Sequence, residues 1–185
     1  MDNNDNEFKV IFVGGSGTGA KTCLIERILY GRFNPNTQST FSCSFVTKYA
    51  TNYLGKKIIL NLWDTTGQEK FRALTKIFLK DSNCVFLGYS IDHEYSFDAV
   101  EFYYETVKEM LGDFPLIYLV VNKIDLKENT KISEEKGRAF AEEKKIKFFR
   151  VSAKTGEGVQ ELVQDIANSI TDKFIIPKEK KKEKK

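Results

Sequence analysis

At 185 residues the chain has the length of a single domain with room for a sizeable core, and 41% hydrophobic with 30% charged residues excludes a wholly disordered chain. The formal net charge of +3 is uneven: the last nine residues, Pro177 to Lys185, hold six lysines and two glutamates, which leaves the remainder slightly acidic. That balance gives no basis for a nucleic-acid-binding body. The stretch Met1-Asp2-Asn3-Asn4-Asp5-Asn6-Glu7 is acidic and polar, the opposite of a secretory signal, and no apolar run approaches membrane-spanning length. Cys23, Cys43 and Cys84 are odd in number and lack metal-ligand spacing, which suits a reducing compartment.

In chain order, residues 1–7 are predicted as a disordered lead-in, and Phe8 to Val13 as a compact apolar strand. A helix is expected from Lys21 to about Tyr30, with Leu24 and Ile28 on one side and Gly31 as its stop. Phe33 to Ser42 is polar, carries Pro35 and reads as a loop. Strands Cys43–Tyr53 and Lys57–Leu62 follow, joined by a turn at Leu54-Gly55-Lys56, so one strand pair is antiparallel. A short helix is expected over Phe71–Lys80, then a buried strand Cys84–Tyr89. The helix Ser96–Leu111 places Phe97, Val100, Tyr104, Val107 and Leu111 on one face. Leu116–Val121 is a second buried strand; Ser133 caps a helix running to about Lys145, and Phe148–Val151 is the last strand. Val159, Leu162, Val163, Ile166, Ala167, Ile170 and Phe174 make one apolar stripe on a long final helix.

Strands alternating with helices, the strands nearly all apolar, specify an α/β sheet covered on both faces. Ligands in such folds bind at the carboxyl ends of the strands. That rule brings four segments to one rim: those after Val13, at Asp64, after Val121 and after Val151.

The first of these is Gly14-Gly15-Ser16-Gly17-Thr18-Gly19-Ala20-Lys21-Thr22. A strand, a glycine-rich turn and a helix entered through Lys-Thr is the layout of a phosphate-binding loop. Glycines let backbone N–H groups converge on an anion, and the helix N-terminus adds unpaired donors. Lys21 reaches the outer phosphates and the Thr22 hydroxyl serves magnesium. The spacing departs from G-x-x-x-x-G-K-[ST]. Counted from Gly15, Ala20 stands where the second glycine belongs; counted from Gly14, Ala20 is one extra residue. Substitution and insertion both remain open, as does a glycine-rich turn that binds nothing. The lone histidine, His93, sits in a polar loop and reads as a surface residue.

Asp64-Thr65-Thr66-Gly67-Gln68-Glu69, Asn122-Lys123-Ile124-Asp125 and Ser152-Ala153-Lys154 complete the set, each weak alone. In this order the chain resembles the small GTPases of the Ras superfamily, most closely the Rab family, from about Phe8 to Phe174. The resemblance implies a P-loop NTPase G domain over residues 8–176, with a mostly parallel six-stranded sheet, one antiparallel strand and helices on both faces, then a lysine-rich tail at 177–185. It implies GTP or GDP as ligand with Mg2+, and slow hydrolysis of GTP. Gly15, Ser16, Gly17, Thr18, Gly19, Ala20, Lys21, Thr22, Cys23 and Gly67 would surround the phosphates. Phe33, Asn122, Lys123, Asp125, Ser152, Ala153 and Lys154 would surround guanine, with Asp125 accepting from N1 and N2 and the Ala153 N–H meeting O6. Adenine lacks that donor pair, so an unpaired buried carboxylate would reject it. Thr22 and Thr40 would ligate magnesium directly and Asp64 through water, while Gln68 and Lys21 would carry catalysis. Loss of the γ-phosphate would release the loops of Thr40 and Gly67.

Phe45, Trp63 and Phe78 fall where Rab proteins place an aromatic triad read by effectors; the alternative for these rings is ordinary core. An exchange factor and a GTPase-activating protein supplying an arginine are implied, and vesicle traffic in the cytoplasm or at the cytosolic face of an endomembrane. Four departures stand against the pattern. Ala20 is expected to weaken nucleotide binding or speed exchange; Thr66 replaces the usual alanine and would misplace the attacking water or accept phosphate itself; Phe41-Ser42 replaces Ile-Gly; and the tail carries no prenylation cysteine. The rival reading is a nucleotide-binding scaffold with impaired hydrolysis. The lysine tail is expected to be solvated, the alternative being contact with acidic lipid.

Overall fold

The computed structural model describes residues 6–37, 40, 43–67 and 72–177. The elements are β1 (Glu7–Gly14), α1 (Thr22–Tyr30), β2 (Ser44–Thr51), β3 (Lys57–Asp64), α2 (Arg72–Leu79), β4 (Cys84–Ser90), α3 (Ser96–Leu111), β5 (Leu116–Asn122), α4 (Glu134–Lys144), β6 (Lys147–Arg150) and α5 (Val159–Ile170). They form one six-stranded sheet of order β2-β3-β1-β4-β5-β6. Only β2 runs antiparallel, against β3; the other pairs are parallel, as the alternation of strands and helices requires.

Side chains alternate across each strand, and this sorts the core into two layers. Phe8, Val10 and Phe12 of β1 join Leu60, Phe86 and Val120 in a core closed by Leu24 and Ile28 of α1 and Leu162 and Ile166 of α5. Ile11 and Val13 turn the other way and join Leu87, Leu119 and Val121 under Phe97, Val100 and Val107 of α3. An interior strand buried on both faces has no polar side to show, which explains the unbroken apolar runs.

Several element ends differ from expectation for local reasons. β3 continues through Trp63 to Asp64, because both residues pair with β2 and Asp64 also aligns with Phe12 of β1. β2 stops at Thr51. Asn52 belongs to the turn, where its Oδ1 accepts from the N–H groups of Leu54 (3.0 Å) and Lys56 (2.9 Å). The same turn is fastened to the final helix: Asn52 Nδ2 donates to Thr171 Oγ1 at 2.8 Å, and Tyr53 donates its hydroxyl to Asp172 at 2.6 Å.

The final helix also corrects the predicted stripe. Past Ile170 it widens into a π turn over Thr171–Ile175, so the next fully buried apolar residue is Ile175 rather than Phe174. Thr171 causes no break, since its hydroxyl returns a hydrogen bond to the Ala167 carbonyl at 2.8 Å. Phe174 packs beside the core instead, 6.1 Å from the ring of Phe8. The predicted lead-in at 1–7 is shortened by β1, which begins at Glu7, and its first five residues lie outside the described ones. The tail from Lys178 onward lies outside them as well. No described helix is long and apolar enough to cross a membrane.

Candidate functional site

The predicted rim is one cavity of about 460 Å³ at the carboxyl ends of the strands. The glycine-rich loop forms its floor. Gly14 is the last residue of β1, paired with Gly88 of β4, and a side chain there would lie 2.2 Å from the Gly88 carbonyl oxygen. The loop thus leaves the strand at Gly14–Gly15. The Lys21 ammonium closes the loop, donating to Gly15 O at 2.7 Å and Gly14 O at 3.1 Å. Gly17 and Gly19 take positive φ of 71° and 63°, which opens the backbone toward the cavity.

Ala20 needs no such angle, and its methyl is housed elsewhere. It is buried against β4, where a side chain on Gly88 would come within 2.7 Å of it. Ser16, Gly17, Gly19, Lys21, Thr22 and Cys23 line the cavity; Gly15, Thr18 and Ala20 do not. The methyl is accommodated by the missing side chain of Gly88. Thr18 lies beneath the loop, its hydroxyl donating to Gly15 O at 3.2 Å and accepting from the Ala20 N–H at 3.3 Å.

Three oxygens meet at one corner. Thr22 Oγ1 donates to Asp64 Oδ2 at 2.7 Å, Thr40 Oγ1 donates to the same oxygen at 3.1 Å, and the two hydroxyls are 2.8 Å apart. Asp64 Oδ1 is buried without a hydrogen-bond partner. Burial raises the Asp64 carboxyl above its ordinary range, opposed by the two threonine hydroxyls and the Lys21 charge. Lys21 is driven the other way: burial pushes its ammonium down to about 8, with Asp64 resisting. A corner of hydroxyl and carboxylate oxygens with one unsatisfied acceptor suits a hard cation, magnesium among them, that takes its remaining oxygens from phosphate and water. Gly67 closes over this end, so tightly that a side chain would meet Lys21 Nζ, Ser16 Cα and Ser16 N, each at 2.7 Å. Gln68 lies outside the described residues.

The far end is built from the loops after β5 and β6. Asn122 joins them to the floor, donating from Nδ2 to Thr18 O at 3.1 Å and accepting the Ala153 N–H at 3.0 Å. The Ala153 N–H, expected to meet a base oxygen, is here held by Asn122 Oδ1. Lys123 has φ of 63° and reaches back to Gly17 O at 3.0 Å, paired with Asp92 at 2.9 Å. Burial would raise the Asp92 carboxyl, and the Lys123 hydrogen bond and charge carry it below the ordinary range instead. Ser152 stands behind the wall and donates its hydroxyl to Asp125 Oδ1 at 2.6 Å, which orients the carboxylate. Asp125, Ala153, Lys154 and Phe33 all line the cavity.

Sequence reasoning missed Asn34, Pro35, Thr37 and Leu126, which also line the cavity, and Asp92, the partner of Lys123. It missed Arg27 and Gly88 too, because neither belongs to a motif. Phe45, Trp63 and Phe78 do come together: Phe45 stacks on Trp63 at 5.0 Å, and Trp63 lies 6.0 Å from Phe78. Phe45 is 54% exposed, while Trp63 and Phe78 are partly buried and pack against the α3-side core, so the cluster runs from the core to the surface. His93 is exposed, as expected, and the three cysteines are free.

A family model described as Ras family matches residues 9–172. Among curated proteins, the human Ras-related protein Rab-30 is 33% identical over 167 residues, 90% of this chain and 81% of that protein. The human Ras-related protein Rab-21 is 36% identical over 165 residues, 89% of this chain and 72% of that protein.

Proposed function

The chain belongs to the Ras family of GTPases and is Rab-like within it, and from that premise we propose that it is a magnesium-dependent guanine-nucleotide switch that hydrolyses GTP slowly and acts on effector proteins in membrane traffic. The observation that carries this reading is the convergence of Thr22, Thr40 and Asp64 at one end of a cavity whose other end holds Asp125, oriented from behind by Ser152. Phosphates would lie over the floor, where the buried Lys21 gains an anionic partner and recovers its full charge. Magnesium would be held by the Thr22 and Thr40 hydroxyls with Asp64 behind them, and would neutralise the charge on the outer phosphates. Asp125 would select guanine by accepting from two base donors. Gln68 is the residue assigned to positioning the attacking water, with a partner's arginine completing the site.

Thr40 and Gly67 both close on the phosphate end, where a γ-phosphate and its cation would hold them. Their release on hydrolysis would alter the neighbouring surface of Phe45, Trp63 and Phe78, which we assign to effector binding. Thr66, buried beside Gly67, supports a second reading in which nucleotide is bound but hydrolysis is impaired.

The test is the nucleotide that the freshly purified protein carries, released by denaturation and identified by chromatography with magnesium kept present. GDP supports the switch. GTP retained on the protein supports the scaffold. A protein that is empty and takes up no added guanine nucleotide refutes both.

A further inference from the structure

Arg27 lies in the last turn of α1. Such a residue ordinarily does no more than complement the helix dipole. Here its guanidinium reaches across the molecule. Nε donates to Ala153 O at 2.7 Å, Nη2 to Lys154 O at 2.5 Å, and Nη1 to Gly31 O at the exit of α1. One rigid fork thus ties together two segments, the exit of α1 and a loop whose Ala153 lies 126 residues beyond Arg27. One segment carries the base-side wall of the cavity. The other leads directly to Phe33, which lines it.

We infer that Arg27 is a positioning residue for guanine, which fixes the peptide plane whose N–H reads the oxygen at C6 of the base; this rests on the guanine-nucleotide reading above. The argument is geometric. The described chain has no cis peptide bonds, so the C=O and N–H of each peptide unit point in opposite directions. With the Ala153 carbonyl drawn to Arg27, the N–H of Lys154 in the same unit faces away from Arg27. Ala153 and Lys154 line the cavity and Arg27 does not, so away from Arg27 is toward the cavity. The neighbouring donors are already committed. The Ala153 N–H goes to Asn122 Oδ1 at 3.0 Å, and the Thr155 N–H to Ser152 Oγ at 3.0 Å.

The Lys154 N–H is therefore a donor that this loop turns toward the base edge, beside that of Ala153. Guanine presents a carbonyl oxygen beside the N1 and N2 donors assigned to Asp125, and an N–H next to that carboxylate complements the whole edge. The loop has no ladder or helix to hold its peptide plane. Two charge-assisted hydrogen bonds from Arg27 do so from behind.

The experiment measures dissociation of GDP and of 6-thio-GDP from the full chain in magnesium, for wild type, Arg27→Met and Arg27→Lys. The thio analogue keeps both donors read by Asp125 but offers sulfur, a poor acceptor, in place of the oxygen. Arg27→Met should release GDP about tenfold faster, the scale of one charge-assisted hydrogen bond, with the analogue's rate changed by less than about twofold. Arg27→Lys, which can reach one carbonyl at a time, should fall between, and it carries the same comparison if the methionine variant does not fold. An unchanged GDP rate overturns the inference. So does equal acceleration of both nucleotides, which would mean a general loosening. In either case wild-type binding leaves the nucleotide reading intact. A wild type that binds no guanine nucleotide overturns that reading, and the inference falls with it.

Discussion

Substituting Gly88 by alanine tests how this glycine-rich loop tolerates a methyl at Ala20. A side chain on Gly88 would sit 2.7 Å from the Ala20 Cβ, where carbon atoms in good contact lie about 3.5–4.0 Å apart. β4 is buried along its whole length, so it cannot yield toward solvent. Overpacking of this kind costs about 1–3 kcal/mol, offset by at most about 1 kcal/mol from replacing a strand glycine. Ala20→Gly alone should cost about 1–2 kcal/mol, through a lost buried methyl and a freer backbone. With that methyl gone, the nearest atom to an alanine at position 88 is the Ala20 carbonyl oxygen at 3.3 Å. The double variant should then be no less stable than Ala20→Gly, a coupling of about 1–3 kcal/mol. Equilibrium urea unfolding of the four proteins at saturating GDP reads this, with each GDP affinity measured so that ligand linkage can be subtracted. Additive effects would refute the reasoning and leave the alanine unexplained.

Three further outcomes are expected. Asp125→Asn should lower the preference for guanine over xanthine nucleotides by more than about tenfold, since an amide can donate to the xanthine carbonyl where the carboxylate could only accept; competition binding with the two diphosphates measures it. Gly67→Ala should leave GDP affinity within about threefold but weaken a non-hydrolysable GTP analogue by about tenfold or more, because the added carbon meets Lys21 and Ser16 and holds the loop off the phosphate end; equal effects on both nucleotides would contradict the closing role. Thr171→Val should cost about 1–3 kcal/mol in urea unfolding by orphaning the buried Asn52 amide, with GDP release unchanged, because neither Thr171 nor any residue of the β2–β3 turn lines the cavity.

How much was legible beforehand divides along the range of the interactions involved. Apolar runs and helical stripes are local properties of the chain, and they specified the α/β order, the antiparallel pair and the bounds of α3. The rule that ligands sit at strand carboxyl ends then brought Lys21, Asp64, Asn122 and Asp125 to one rim without coordinates. Motif spacing sufficed there because each motif is a strand end plus its next few residues. The same local reasoning failed at the end of the chain. A strict helical period picks Phe174, whereas the π turn around Thr171 places Ile175 inward.

Only the tertiary structure decided which of these groups answer one another. The sequence by itself could not show where the Ala20 methyl goes, because its room depends on Gly88, sixty-eight positions later, lying beside Gly14 in the β1–β4 register. It could not separate a surface triad from a buried one, since burial of Phe45 depends on β2 being the edge strand. Nor could it pair Arg27 with the carbonyls of Ala153 and Lys154, or give the Ala153 N–H to Asn122. A carbonyl or backbone N–H has no residue-type signature, so its partner is settled only when the sheet aligns the strand ends and the helices pack across them.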